Sequence, residues 1–234
     1  MTPRPRPPSD RALADDLRRL EVHYSELVRV HGDGPEGAQW RDRASQDARL
    51  AVLASGVDLD GAKVLDFGCG AGQLLSVLDE RFGFDGEYVG IDLAEPALDV
   101  ARARHRSRAG ARFERRDVLA GDLAEDFDVA FVSGTFNHAT SDPWRFLTAS
   151  LEALWARTRH TLAFNALSTY VDRFDPGLAY FDPGEVFAFC KERLSPAVSL
   201  RHDYVIRAGS IPFEMAVFVH RVDAACRPNR ARSR

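Results

Sequence analysis

Between residues 63 and 166 the chain switches repeatedly between two hydrophobic patterns. Runs rich in Val, Ile, Phe and Tyr fall at 63–67, 87–91, 111–116, 127–133 and 159–166. Continuous apolar runs of this length, bounded by polar or glycine breaks, read as strands buried on both faces of a parallel sheet. Between them, 72–82, 95–106 and 142–157 carry apolar residues at helical spacing, with a weaker turn near 120–124. Strand–helix alternation with short connections implies right-handed crossovers. Two later runs, 197–206 and 211–220, joined by a short turn at 207–210, predict a hairpin that makes the final strand antiparallel. Asp182-Pro183 signals the helix before it, with proline in its first turn.

Upstream, 10–30 places Leu13, Leu17, Leu20, Tyr24, Leu27 and Val28 on one helical face. His31-Gly32-Asp33-Gly34-Pro35 breaks that helix. A second helix, about 41–55, carries Ala44, Ala48, Ala51 and Val52 at helical spacing. The organisation expected is an arm at 1–9, a helical cap at 10–56, an α/β domain at 57–222 and a basic tail at 223–234. The cap is expected to cover a ligand cleft.

The most informative run is Val64-Leu65-Asp66-Phe67-Gly68-Cys69-Gly70-Ala71-Gly72. A strand breaks into three alternating glycines and continues into a helix, so backbone can approach a ligand closely at a helix N-terminus. The dinucleotide loop G-x-G-x-x-G needs glycine where this chain has Gln73, which opposes a nicotinamide dehydrogenase. Instead, Asp66 stands two residues before Gly68. Asp92 ends the second strand, where a carboxylate can accept from both hydroxyls of a ribose. In open α/β sheets ligands bind at this carboxyl edge.

This acid-x-G-x-G-x-G run resembles motif I of the class I S-adenosylmethionine (SAM) methyltransferases, and the strand ends that follow it resemble the rest of their donor site. The resemblance implies a Rossmann-like, seven-stranded, mostly parallel sheet with helices on both faces and the last strand antiparallel. It implies SAM as cofactor, with Asp117 at the adenine amino group and Val118 beside the ring. Asp66, Gly68, Cys69, Gly70, Gly72, Asp92, Leu93, Ser133 and Gly134 complete the expected donor site, and Cys69 is read as a small side chain within the loop. Ser133-Gly134-Thr135-Phe136-Asn137, Phe164-Asn165-Ala166-Leu167-Ser168, Tyr180-Phe181-Asp182-Pro183 and Arg201-His202-Asp203-Tyr204 look like a bacterial small-molecule branch of that family. So do His31-Gly32, Trp40, Gln46 and Arg49.

Composition narrows the partners. The formal charge is −4, which leaves no footprint for nucleic acid. Ser133-Gly134-Thr135-Phe136 stands where base-amine methyltransferases carry an Asn/Asp-Pro-Pro-aromatic tetrad. Lys63 and Lys191 are the only lysines among 31 basic residues, a bias read as a GC-rich genome. No apolar stretch approaches the roughly 20 residues of a membrane span, and residues 1–8 have no apolar core for a secretory signal. The expectation is a cytoplasmic monomer or homodimer acting on a small-molecule acceptor. Cys69, Cys190 and Cys226 and the seven histidines show no ligand spacing, so no metal is expected.

A neutral hydroxyl or protonated amine that accepts a methyl group must lose a proton, which calls for a base near neutrality. His138, after the fourth strand, is the candidate, with Asn137 beside it. Tyr170, Asp172 and Asp175, after the fifth strand, are acceptor-site candidates, and Phe174, Tyr180 and Phe181 candidate pocket walls. Asp142 reads as a helix N-cap. Arg49 could pair with the donor's carboxylate if the second helix covers the cleft. Two other readings share the donor motifs: a SAM-using enzyme of another type, such as intramolecular cyclisation releasing methylthioadenosine, and a non-catalytic SAM-binding protein.

Overall fold

The computed structural model describes residues 10–32, 34, 42–206 and 209–225. The expected arm at 1–9, Asp33, Pro35, Trp40, Arg41, Arg207 and the tail from Cys226 onward lie outside the described residues. One sheet holds β1 (Lys63–Phe67), β2 (Glu87–Asp92), β3 (Ala111–Arg115), β4 (Phe127–Val132), β5 (Thr158–Leu167), β6 (Ala197–Arg201) and β7 (Glu214–His220). Its order is β3-β2-β1-β4-β5-β7-β6. The first five strands are parallel, and β7 runs antiparallel to both β5 and β6.

Both faces of β1, β2, β4, β5 and β7 are covered, which is why their apolar runs are continuous rather than alternating, whereas the edge strands β3 and β6 are only partly buried. Leu65, Ala130, Val132 and Phe164 point into one layer with Phe146, Leu147 and Leu151 of α5 (Pro143–Trp155). Val64, Val129, Phe131 and Ala163 point into the other. That layer also holds Leu50 and Leu53 of α2 (Arg43–Ala54), Leu74 and Leu78 of α3 (Gln73–Phe82), and Leu98 of α4 (Glu95–Arg104).

The late hairpin is longer than the sequence pattern predicts. β6 stops at Arg201 and β7 starts at Glu214, so 202–206 and 211–213, expected as strand, lie outside both strands, and Arg207 and Ala208 of the expected turn lie outside the described residues. Between the two strands the Tyr204 ring packs against the second core layer and its hydroxyl donates to Glu214 at 3.0 Å. Asp182 caps α6 (Pro183–Phe189), accepting from the Glu185 N–H at 3.0 Å.

From β3 the chain returns to the other side of β1 to lay down β4. That reversal opens a crevice at the carboxyl ends of β1 and β4, the general ligand position in such sheets. The long α1 (Asp10–His31) covers it. Asp16 accepts from the Ser141 N–H (2.9 Å) and hydroxyl, and Glu21 accepts from Arg115 (2.9 Å). Val28 packs on Ala94 and Ala97.

Candidate active site

The three glycines after β1 all have positive φ, at 76°, 51° and 75° for Gly68, Gly70 and Gly72, but for different reasons. A Cβ on Gly68 would lie 2.2 Å from Thr135 Oγ1, and one on Gly72 would lie 3.0 Å from His105 and Phe113. These two glycines let the loop pack. A Cβ on Gly70 would meet nothing within 4 Å, so Gly70 faces the open cleft and keeps space for a ligand. The loop is tied to β2: the Gly68 and Cys69 N–H groups donate to Ile91 O at 2.9 and 3.1 Å. Gly90 serves the same contact, since a Cβ there would lie 2.8 Å from Cys69 Sγ.

Asp92 closes this side. Its Oδ2 accepts from the Gly70 N–H and its Oδ1 from the Ala94 N–H, each at 2.9 Å. Burial pushes its carboxyl above the ordinary range, and these donations pull it back. Asp66 is buried beneath the loop and accepts from the Tyr88 hydroxyl at 2.5 Å. Burial raises its carboxyl to about 7 against that hydrogen bond, and the nearby Asp92 adds to the rise.

The cleft is open to solvent. Leu17, Leu20, Tyr24 and Val28 of α1 form its roof, and Ser133 and Gly134 a side wall. Burial and then Asp92 push the Tyr24 hydroxyl up to about 12, which keeps it neutral. Asn165, fully buried in β5, fixes the side wall: it accepts from the Gly134 N–H at 2.9 Å and donates to Ser133 Oγ at 3.0 Å. At the other end, Gln73 accepts from Arg43 and from Arg104 (3.3 Å), and donates to Asp47 at 2.7 Å. The residue that breaks the dinucleotide pattern therefore gathers two arginines at the mouth. Gln46 Oε1 is buried there without a partner among the described residues.

Asp66, Gly68, Cys69, Gly70, Asp92, Leu93, Ser133 and Gly134 all line the cleft. Gly72 lies behind it as the residue before α3, its carbonyl 2.9 Å from His105 Nε2. Asp117 and Val118 are not among the lining residues. Asp117 Oδ1 caps a 3-10 turn, accepting from the Leu119 and Ala120 N–H groups at 2.9 and 3.3 Å, and Val118 is buried in the first core layer. Arg116, next to them, lines the cleft instead.

Arg49 is engaged with another partner: it is buried and donates to Glu214 Oε2 at 2.8 Å and to Ser45 O at 3.2 Å, bolting α2 to β7, and it is not itself a lining residue, whereas Gln46 and Leu50 beside it are. A carboxylate buried at the start of β7 demands a cation, and Arg49 is the one that reaches it. Arg43, on the same helix, lines the cleft.

The acceptor-side candidates do not converge. His138 packs against His23 and Tyr24 of α1, with Asn137 beside it, and neither His138 nor Asn137 is a lining residue. Tyr170 is 66% exposed and meets His202 edge-on, and Asp175 binds its own loop through the Gly177 N–H at 2.8 Å. Phe174 stands on Tyr180 at 4.9 Å, whereas Phe181 is buried in the first core layer. Asp142 is an N-cap, accepting from the Arg145 N–H at 2.9 Å. Sequence reasoning missed Tyr24 and Glu21, whose only signal was their place on a cap helix, together with Arg104 and Arg116. Among the described residues no three His, Cys, Asp or Glu side chains form a metal-binding group, and no helix is long and apolar enough to cross a membrane.

Asp66 and Asp92, the arginines Arg43, Arg104 and Arg116, and the open face of Gly70 all line one cleft. Residues 64–156 match the family described as "Methyltransferase domain". A Mycobacterium tuberculosis protein named "Putative methyltransferase Rv1506c" is 36% identical over 151 residues, covering 62% of this chain and 88% of that protein. A ubiquinone biosynthesis O-methyltransferase of Cereibacter sphaeroides is 38% identical over 105 residues, which are 44% of this chain but only 40% of that one. In fold, the chain superposes with a TM-score of 0.61 and 15% identity on the SAM-bound magnesium protoporphyrin IX methyltransferase of Synechocystis, covering 93% of this chain and all of that one. The glycine loop, the carboxylate that ends β2 and this kinship together show that the chain belongs to the class I methyltransferases and uses S-adenosylmethionine.

Proposed function

We propose that the chain transfers a methyl group to a small-molecule acceptor, at oxygen or nitrogen. The observation that carries this reading is α1, laid across the cleft with Leu17, Leu20, Tyr24 and Val28 facing inward. A roofed, largely apolar cleft suits a small acceptor and shuts out a duplex or a folded protein. The name of the ubiquinone biosynthesis relatives favours oxygen, although the chain spans only about two fifths of the Cereibacter protein's length.

When bound, SAM supplies an electrophilic methyl group on a sulfonium. On this reading, Asp92 accepts from the ribose hydroxyls, and Gly70 leaves room beside the donor. Arg43 and Arg104 take the role first given to Arg49, at the donor carboxylate. Much of the rate in such a displacement comes from holding the two partners in line. His138 takes the acceptor's proton. Burial, and then His23, hold its imidazole below the ordinary range, so it is neutral and able to accept at pH 7. On the same reading Asn137, whose Oδ1 is buried without a partner among the described residues, holds the acceptor.

The test is incubation of the protein with SAM and a panel of phenols, catechols and primary amines. Acceptor-dependent S-adenosylhomocysteine supports the reading. Methylthioadenosine formed without any acceptor overturns it in favour of intramolecular cyclisation.

A further inference from the structure

The glycine loop is held from β2 by Asp92, whose Oδ2 takes the Gly70 N–H at 2.9 Å. It is held again from the far end of α4, where two consecutive residues take two consecutive loop carbonyls. Arg104 Nη1 donates to Ala71 O at 2.8 Å, and His105 Nε2 lies 2.9 Å from Gly72 O. A carbonyl oxygen only accepts, so Nε2 carries the proton and the tautomer is fixed. Burial holds this imidazole below its ordinary range, against the pull of the Gly72 carbonyl, so it donates as a neutral ring.

The end of α4 is itself anchored. The His105 ring stacks on Phe113 of β3, with centroids 5.5 Å apart and planes 24° apart. Phe113 packs in turn on Tyr88, whose hydroxyl holds Asp66. Arg104 also reaches Gln73, the first residue of α3, at 3.3 Å. Arg108, just beyond the helix, donates to Asp79 of α3 at 3.1 Å and to the Phe84 and Gly86 carbonyls at 3.0 and 3.3 Å. At the other end of α4, the Ala94 N–H donates to Asp92 Oδ1 at 2.9 Å. The helix therefore runs from the carboxylate that ends β2 to the loop carbonyls, pinned at both ends.

The loop needs an outside grip. Gly72 leads into α3 with a φ of 75° and brings no side chain to cap it, where Ser, Thr, Asp or Asn would normally do so. Because each peptide unit is planar, fixing the Ala71 and Gly72 carbonyls also fixes the N–H groups of Gly72 and Gln73. The Gly72 N–H then closes on Cys69 O at 2.9 Å.

We infer that Arg104 and His105 are positioning residues for the donor: by gripping the Ala71 and Gly72 carbonyls they hold the glycine loop against Asp92 in the arrangement that accepts SAM. Arg104 lines the cleft and His105 does not, so an effect of His105 on the donor passes through the loop. The grip is in place before any chemistry, so it serves SAM and its demethylated product alike.

The experiment is calorimetry of SAM and S-adenosylhomocysteine with wild type, His105→Phe, His105→Gln and Arg104→Leu. Hydrogen exchange of the Gly70 amide is followed by NMR in the ligand-free proteins. His105→Phe keeps a ring on Phe113 and removes only the donated hydrogen bond. Both ligands should weaken about fivefold to tenfold, and the Gly70 amide should exchange faster. His105→Gln, whose amide N–H can reach the same carbonyl, should recover most of both. Wild-type affinity in His105→Phe overturns the role of His105, as does an affinity loss with the Gly70 amide unmoved or one that His105→Gln does not relieve. Arg104→Leu leaves the stacked ring in place and tests the loop even if His105→Phe fails to fold. It should weaken decarboxylated SAM as well as SAM. A loss confined to SAM places Arg104 at the donor carboxylate alone and overturns its half of the grip.

Discussion

Replacing Arg49 with Met should unfold the protein far more readily while leaving donor binding almost intact. The Arg49–Glu214 pair is 2.8 Å apart, with side chains 7% and 0% exposed, and the Tyr204 hydroxyl donates to the other Glu214 oxygen at 3.0 Å. Removing one partner of such a buried pair costs about 3–5 kcal/mol, because the remaining charge is left without compensation. The cost depends on pH in a definite direction. Burial holds the Glu214 carboxyl above its ordinary range, against the pull of Arg49 and Tyr204. A carboxyl that binds its proton more tightly folded than unfolded contributes stability in acid, and that contribution is lost as pH rises past the unfolded value. Without Arg49 the loss deepens, so the deficit of the variant should be larger at pH 8 than at pH 5. Urea unfolding at both pH values measures it, with the double variant Arg49→Met/Glu214→Leu recovering most of the deficit. SAM affinity by calorimetry should stay within about threefold, well under the 1.4 kcal/mol of a tenfold change. A wild-type unfolding midpoint at both pH values, together with SAM binding weakened more than tenfold, would falsify this account and return Arg49 to the donor site.

Three further outcomes follow from the cleft. Asp92→Ala removes a charged acceptor, each of whose hydrogen bonds to a ligand is worth about 1.5–3 kcal/mol; SAM affinity by calorimetry should fall at least tenfold, and unchanged affinity in a folded variant would refute the ribose assignment. Gly70→Val places a side chain in the open space at a backbone φ of 51°, so SAM binding should be lost in a protein whose circular dichroism is unchanged; retained binding would mean the loop faces elsewhere. Asp66, with its carboxyl raised to about 7, contributes stability in acid that is lost as pH rises from the ordinary carboxylate range through about 7. Asp66→Asn should flatten that decline in a melting-temperature series, and a decline of unchanged slope would show that Asp66 is not its source.

What the sequence determined is what short stretches encode. A strand buried on both faces shows as an apolar run, so β1, β2, β4 and β5 were legible to within a residue or two, and helix starts were legible from Asp142 and Asp182 followed by proline. The strand–glycine–helix loop and the acid that ends β2 were legible because turn chemistry is local. What only the tertiary structure decided depends on distant pairings. The insertion of β7 between β5 and β6, and the long connection before it, follow from Tyr204 and Glu214 closing on α2. Arg49 finds its partner 165 residues away, a separation that no local pattern reports. Arg43 and Arg49 lie six positions apart, about 120° round a helix of 3.6 residues per turn. A helix carrying two arginines on different faces does not say which of them a later strand will claim. The same holds for α1: its apolar stripe predicted a buried face, but a stripe buries Leu17, Tyr24 and Val28 equally well against any apolar surface. Only the seating of that helix over Asp92 and His138 made Tyr24 a wall of the cleft and set His23 beside the candidate base.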